Sequence, residues 1–260
     1  MKRSKITILL AIVLGMTFHS CLDLEPQDQL GGKNMWTSVN DYKQFANTFY
    51  SWTRDFSSVV YDGTHSDKRS DLITYQSYNE FSRGINSIPS SDANYTDNYK
   101  HIRRTNLLLQ NAEAYAKPED IKQYIGEAYF FRAYSYFDLL QLYGDVIITK
   151  KPLDITDPEM KVKRNDRSEV VDLIIDDLNH AVENLPAFKE LTTEEEGRIS
   201  KEGAQAFLSR VALYEGTWQK SRNGNQNTQR SANLLDIAAK AARTVIDAKY
   251  GYTFRLFGTD

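Results

Sequence analysis

Between residues 121 and 145 the chain is apolar on nearly every helical face. Ile121, Ile125, Ala128, Phe131 and Leu139 keep a helical period, and Tyr124, Tyr129, Phe130, Tyr134, Tyr136, Phe137 and Tyr143 fill the angles between them. A helix without a polar side is enclosed on several sides, so the pattern predicts a central helix against which others pack. Pro118 suits its first position, Glu119 and Asp120 complement its N-terminal dipole, and Gly144 suits a left-handed stop.

Amphipathic stretches flank it. Trp36–Trp52 is apolar at Trp36, Val39, Tyr42, Phe45, Ala46 and Phe49, and Tyr95–Tyr115 at Tyr99, Ile102, Leu107, Leu109, Ala112 and Ala114. Ser168–Leu185 has one face of Val170, Val171, Ile174, Leu178, Ala181, Val182 and Leu185, opposite Asp172, Asp176, Asn179 and Glu183. Ser168 is its predicted cap and Pro186 follows its end. Ser200 is predicted to cap Lys201–Trp218. A last helix, Ala232–Lys249, turns Leu235, Ala238, Ala239, Ala242, Val245 and Ile246 inward. Val146–Thr149 reads as a short extended run, and the remainder as connectors. The longest of these, Thr53–Asp92, is rich in Ser, Asp and Asn and carries Tyr61, Tyr75, Tyr78 and Phe81. The predicted class is all-α, with long irregular loops.

The N-terminus adds an address. Basic Lys2, Arg3 and Lys5 precede the apolar run Ile6–Met16, too short to span a bilayer comfortably. Residues 1–20 read as a signal peptide ending at Ser20-Cys21. That is the arrangement in which a cysteine is acylated and becomes the new N-terminus, and Cys21 is the single cysteine of the chain. Residues 21–35 are then a lipidated start and polar tether, and 36–260 the helical domain. Removing the three basic residues takes the net charge from −3 to −6. That argues against a nucleic-acid partner, whose affinity comes mostly from cations meeting phosphate.

Little catalytic chemistry is legible. No G-x-S-x-G, H-E-x-x-H, P-loop or G-x-G-x-x-G occurs, and one cysteine excludes a multi-cysteine metal site. No catalytic residue, metal or cofactor is expected. Asp176-Asp177 could be offered as a carboxylate pair, but neighbours on a helix point about 100° apart, and a solvated face is the simpler reading. Arg132 inside the apolar helix calls for a carboxylate on a neighbouring helix, because an unpaired buried charge is costly. In the long connector, rings flanked by amides and hydroxyls suit carbohydrate, whose C–H faces stack on aromatics. Tyr61, Tyr75 and Tyr78 are therefore the candidate ligand-binding residues. The alternative is that these rings cover the ends of the helical core.

E-A-x-F-x-R-A-x-x-Y-F-x-L-x-x-x-Y-G-D-V over Glu127–Val146 resembles the signature of the SusD/RagB family. The resemblance extends to C-x-D-L-x-P at Cys21, Y-x-x-I-x-x-x-N at Tyr99, Ile102 and Asn106, R-S-E-V from Arg167, and G-R-I-S-K from Gly197. Ile147 stands where the family has proline. The resemblance implies tetratricopeptide-like helix pairs and a lipoprotein on the outer membrane, facing the cell exterior. It also implies non-catalytic capture of nutrient, oligosaccharide or polysaccharide foremost, and its transfer to a SusC-like TonB-dependent transporter. The alternative class is a helical envelope adaptor or peptide-binding lipoprotein. The match covers the N-terminal half of the family fold and implies that the C-terminal half is lacking.

Overall fold

A computed structural model describes residues 35–54, 83–85, 87–154, 156–222 and 228–248. The signal segment, Cys21, Tyr61, Tyr75 and Tyr78 lie outside these residues.

The described secondary structure is helical. It consists of α1 (Val39–Asn47), α2 (Ala93–Glu113), α3 (Lys122–Tyr143), α4 (Arg167–Asn184), α5 (Lys201–Arg222) and α6 (Thr228–Asp247), with short 3-10 turns. Among the described residues the extended run contributes one antiparallel bridge, Val146 to Asn165, and no strand.

Local chemistry sets the helix ends. Asp41 Oδ2 accepts the Ser38 N–H at 2.8 Å while Ser38 Oγ accepts the Asp41 N–H at 3.3 Å. This reciprocal cap starts α1, which tightens into a 3-10 turn over Thr48–Trp52. Asp92 caps α2 by accepting the Asn94 N–H at 2.9 Å. Gly144, at φ 72°, stops α3. For α4 the predicted cap, Ser168, lies two residues past the observed one. The helix begins after Asp166, and Glu169 reaches back to the Asp166 N–H at 3.0 Å; an N-cap carboxylate with glutamate at N3 outcompetes Ser168. Ser200 Oγ accepts the Gly203 N–H at 3.3 Å at the start of α5, as expected. That helix runs past Trp218 to Arg222, because Gln219 is buried and donates to Glu215 Oε1 at 2.6 Å.

Each helix packs on the next in sequence, and α1 packs on both α2 and α3. The short link from α2 to α3 makes them antiparallel neighbours. Phe131, Tyr136, Leu139 and Leu140 of α3 are fully or almost fully buried, which places that helix at the centre as its pattern predicts. Two close approaches need glycine. A Cβ on Gly126 would meet the Leu185 backbone nitrogen at 3.0 Å, and one on Gly216 would meet Leu235 Cγ at 2.9 Å. The second approach explains why α6 is rotated from its predicted face. Ser231 donates to the Gly216 carbonyl at 2.7 Å and Ser209 to the Ala238 carbonyl at 2.8 Å. Those small-residue contacts bury Ser231, Leu234, Ala238 and Ala241, leaving Ala239 exposed and Ile246 66% exposed.

His101 of α2 lies flat on Trp52, with ring centroids 4.1 Å apart at 13°. Burial in this stack pushes its imidazole from 6.5 down to about 4. The unfolded chain therefore binds the extra proton between those values, so stability is complete above pH 6.5 and falls as pH drops toward about 4. Such a shift would amount to about 3 kcal/mol if fully buried, and solvent screening of this half-exposed ring reduces it to ~1–2 kcal/mol. His101→Phe is expected to abolish that loss when urea unfolding is compared at neutral pH and at about pH 5. Parallel pH profiles for the two proteins would show that the stack does not exclude the charged ring.

Candidate functional site

The polar residues of the sequence motifs are internal. Arg132, 5% exposed, donates from Nε to Asp177 Oδ2 at 2.8 Å and from Nη2 to Oδ1 at 2.6 Å. Its Nη1 donates to Asn106 Oδ1 at 2.8 Å, so one guanidinium joins α2, α3 and α4. This is the carboxylate partner expected for Arg132. It also corrects the solvated reading of the aspartate pair: Asp176 is exposed, whereas Asp177 is fully buried. Burial pushes the Asp177 carboxyl up while Arg132 pulls it down. Glu127 is held by Arg198 Nε and Nη2 at 2.8 and 2.6 Å, and buried Glu215 by Arg167 Nε at 2.9 Å. The three carboxylates are buried and each is held by an arginine, so these pairs serve the helix array.

The first network ends at a surface groove. Asn106 Nδ2 donates to the Thr149 carbonyl at 2.9 Å, and the Thr149 N–H donates to the Tyr136 hydroxyl at 2.7 Å. These bonds fix the extended run 146–151 against α2. Between that run and α2 lies a cavity of about 470 Å³, with Tyr95, Tyr99 and Arg103 on one wall and Ile147, Lys151 and Met160 facing them. The Tyr95 and Tyr99 rings are 4.8 Å apart at 48°, and Tyr95 meets Tyr143 edge-on at 5.2 Å. Tyr99 donates to the Ile147 carbonyl at 2.8 Å and Tyr143 to Asp92 Oδ2 at 2.7 Å. Their phenols are thereby oriented, while the rings of Tyr95 and Tyr99 stay half-exposed. Burial pushes the Tyr99 phenol well above its usual range, so it remains a neutral donor. Lys151 pairs with Glu159 at 2.7 Å on the rim. Two ring faces, a thioether and rim charges that can exchange hydrogen bonds suit a polyhydroxylated ligand.

A more open cleft of about 650 Å³ lies between α4 and α6, lined by Asp172, Asp176, Asn179, Gln229, Asn233 and Ile237 among others. It carries no aromatic ring, which makes it the poorer sugar site. Among the described residues no group of His, Cys, Asp and Glu is placed to hold a metal ion, and no helix is long and apolar enough to cross a membrane.

The groove was not singled out from the sequence. Tyr99 reads as part of the packing face of a helix that Tyr95 begins, and the second wall lies some fifty positions further along. The available signal was the run Tyr95, Tyr99, Arg103 at four-residue intervals, which puts two rings and a cation on one face.

Comparisons with known proteins agree with the fold. The curated SusD-like protein P38 of Formosa agariphila is 28% identical over 233 residues, covering 82% of this chain and 42% of that protein. A solved SusD-like protein from Bacteroides fragilis superposes with a TM-score of 0.66 at 25% identity, covering 88% of this chain and 42% of that one. A solved laminarin-binding SusD-like protein matches with a TM-score of 0.54 at 28% identity, covering 68% and 35%. The chain thus spans less than half the length of these relatives. The sequence profile of the SusD-like family described as "Starch-binding associating with outer membrane" matches residues 22–213, and the chain belongs to that family.

Proposed function

We propose that this protein is a non-catalytic lipoprotein that captures oligosaccharide and passes it to a partner TonB-dependent transporter of the outer membrane. The observation that carries the binding reading is the Tyr95–Tyr99 groove, with half-exposed rings, a fixed Tyr99 hydroxyl and a charged rim. The laminarin-binding relative supports the ligand class. Cys21 is the proposed acyl anchor. Tyr61, Tyr75 and Tyr78 remain proposed contributors to the ligand surface, and 36–260 the proposed helical domain. The rest of the ligand path and the transporter contact belong to this same proposal.

Titration of the chain with a panel of polysaccharides tests the reading. Tyr95→Ala should weaken the best binder on the order of tenfold, the usual cost of losing an aromatic anchor. Unchanged affinity would remove the groove from the site. Cys21→Ser should move the protein from the membrane fraction to the soluble one, and continued membrane retention would contradict acylation there. A second reading has its own observation: the α4–α6 cleft is lined by Asn179 and Asn233 together with Leu234 and Ile237, and amides beside apolar side chains suit an extended peptide. Peptide binding with no heat for any glycan would favour it.

A further inference from the structure

A stripe of rings and arginines runs along α5, away from the groove. Phe207, Arg210, Tyr214, Trp218 and Arg222 recur at intervals of three and four, so they share one helix face over roughly 22 Å at 1.5 Å per residue. Tyr134 of α3 joins it, its ring 5.6 Å from Phe207 at 33°. Tyr214 and Trp218 are near-parallel at 6.4 Å and 23°. The four rings are half-exposed, and Arg210 and Arg222 are exposed.

The charges along the stripe do not balance. Arg167 lies 4.2 Å over Trp218, but its guanidinium is held by Glu215 at 2.8 Å. Arg54 pairs with Asp138. Among the described residues Arg210 and Arg222 have no carboxylate partner. Arg222 rests on the Trp218 ring at 4.8 Å, beside a shallow hollow of about 200 Å³ that Thr217 and Ser221 also line. Among the described residues, therefore, two guanidinium groups without a countercharge lie along the row of rings, Arg210 between Phe207 and Tyr214 and Arg222 beyond Trp218.

We infer that this stripe is a second glycan surface and that it takes an acidic oligosaccharide. Sugar rings lie against Phe207 and Tyr214, and carboxylate or sulfate groups pair with Arg210 and Arg222. Guanidinium matches both oxyanions bidentately. Twelve residues of helix place the two arginines roughly 18 Å apart along the axis, so the ligand must be several sugar units long. The inference shares with the proposed function only the class of ligand, since none of its residues lines the groove.

The test uses the whole chain and three probes: an oligogalacturonate of about ten units, galacturonate itself, and a neutral glucan oligosaccharide of matched length. The oligogalacturonate should bind, galacturonate should bind at least tenfold more weakly, and added salt should weaken the polymer, since exposed charges are screened within about 8–10 Å. Arg210→Gln with Arg222→Gln should reduce oligogalacturonate affinity on the order of tenfold and leave the neutral glucan and the melting temperature unchanged. Glutamine keeps helix propensity close to that of arginine. A sulfated galactan oligosaccharide separates the two anion sources, and binding of either in the same arginine-dependent way supports the stripe. Unchanged oligogalacturonate affinity in the double variant, or salt-independent binding, overturns it. Loss of that binding in Tyr95→Ala alone also overturns the stripe and leaves the groove standing, whereas failure of every glycan overturns both.

Discussion

Arg132→Met is expected to destabilise the protein by about 3–5 kcal/mol, because it strands the fully buried Asp177 without its countercharge. It also deprives Asn106 Oδ1 of the donor it has at 2.8 Å. For a domain of this size, that corresponds to a fall in melting temperature of roughly 6–20 °C. Combining Arg132→Met with Asp177→Leu should recover much of the loss, since apolar groups of similar volume often replace a buried pair without penalty. Urea unfolding of the two variants measures both effects. Glycan affinity of the folded protein should stay within about threefold of wild type, a change under 1 kcal/mol. Wild-type stability together with lost binding would contradict a role in holding the helix array together.

That prediction reflects what the motif residues are for. Glu127, Arg132, Asn106, Arg167 and Arg198 carry much of the sequence resemblance, and all five are engaged with partners inside the helix array. A signature made of such residues reports the fold, because each is tied to a partner on another segment of the helix array. This is why the architecture was readable from the chain: the apolar period placed the helices, and Arg132 announced that a carboxylate must face it. Which carboxylate could not be read. Asp176 and Asp177 are chemically identical, and only the rotation of α4 against α3 decides that one is solvated and the other enclosed. The rotation of α6 was hidden for a similar reason. Hydrophobicity favoured Leu235, Val245 and Ile246, but the close approach at Gly216 and two serine–carbonyl bonds set the contact.

The candidate site was less legible because it is made between segments. Tyr99 looks like a core residue on its own helix, and Tyr95 like no more than its first residue. They become a groove wall only when the 146–151 run is pinned opposite them by Asn106 and Tyr136. The pinning runs back through Asn106 to Arg132 and Asp177, so the buried network that defines the fold also positions one side of the surface groove. The arginine–aromatic stripe on α5 is a further case. Its spacing is plain in the sequence, but that two of its arginines lack carboxylate partners among the described residues depends on Glu215 and Asp138 being engaged with Arg167 and Arg54.

Arg198→Met should give the second large loss, and one with a distinctive pH dependence. Arg198 sits between the Tyr50 and Tyr124 rings at 5.2 and 5.4 Å and reaches Asn47, so it ties α1 to α3 through Glu127. Burial pushes the Glu127 carboxyl up, and the Arg198 guanidinium is the main influence pulling it down. Without Arg198, burial is left largely unopposed and the folded-state value rises further above the unfolded value of about 4.3. At neutral pH the variant must bury a bare carboxylate or take up a proton, at a cost of about 3–5 kcal/mol. Between the two values the folded variant binds more protons than the unfolded chain, so its stability rises as pH falls. The deficit relative to wild type should therefore be largest at neutral pH and shrink toward about pH 4–5. With Glu127→Gln as the background the titrating group is gone, and the deficit that Arg198→Met adds to that variant should be independent of pH. Urea midpoints across that range decide the matter. A deficit in Arg198→Met that does not change with pH would place its cost in lost packing between Tyr50 and Tyr124, and α1 would then be held by stacking rather than by charge.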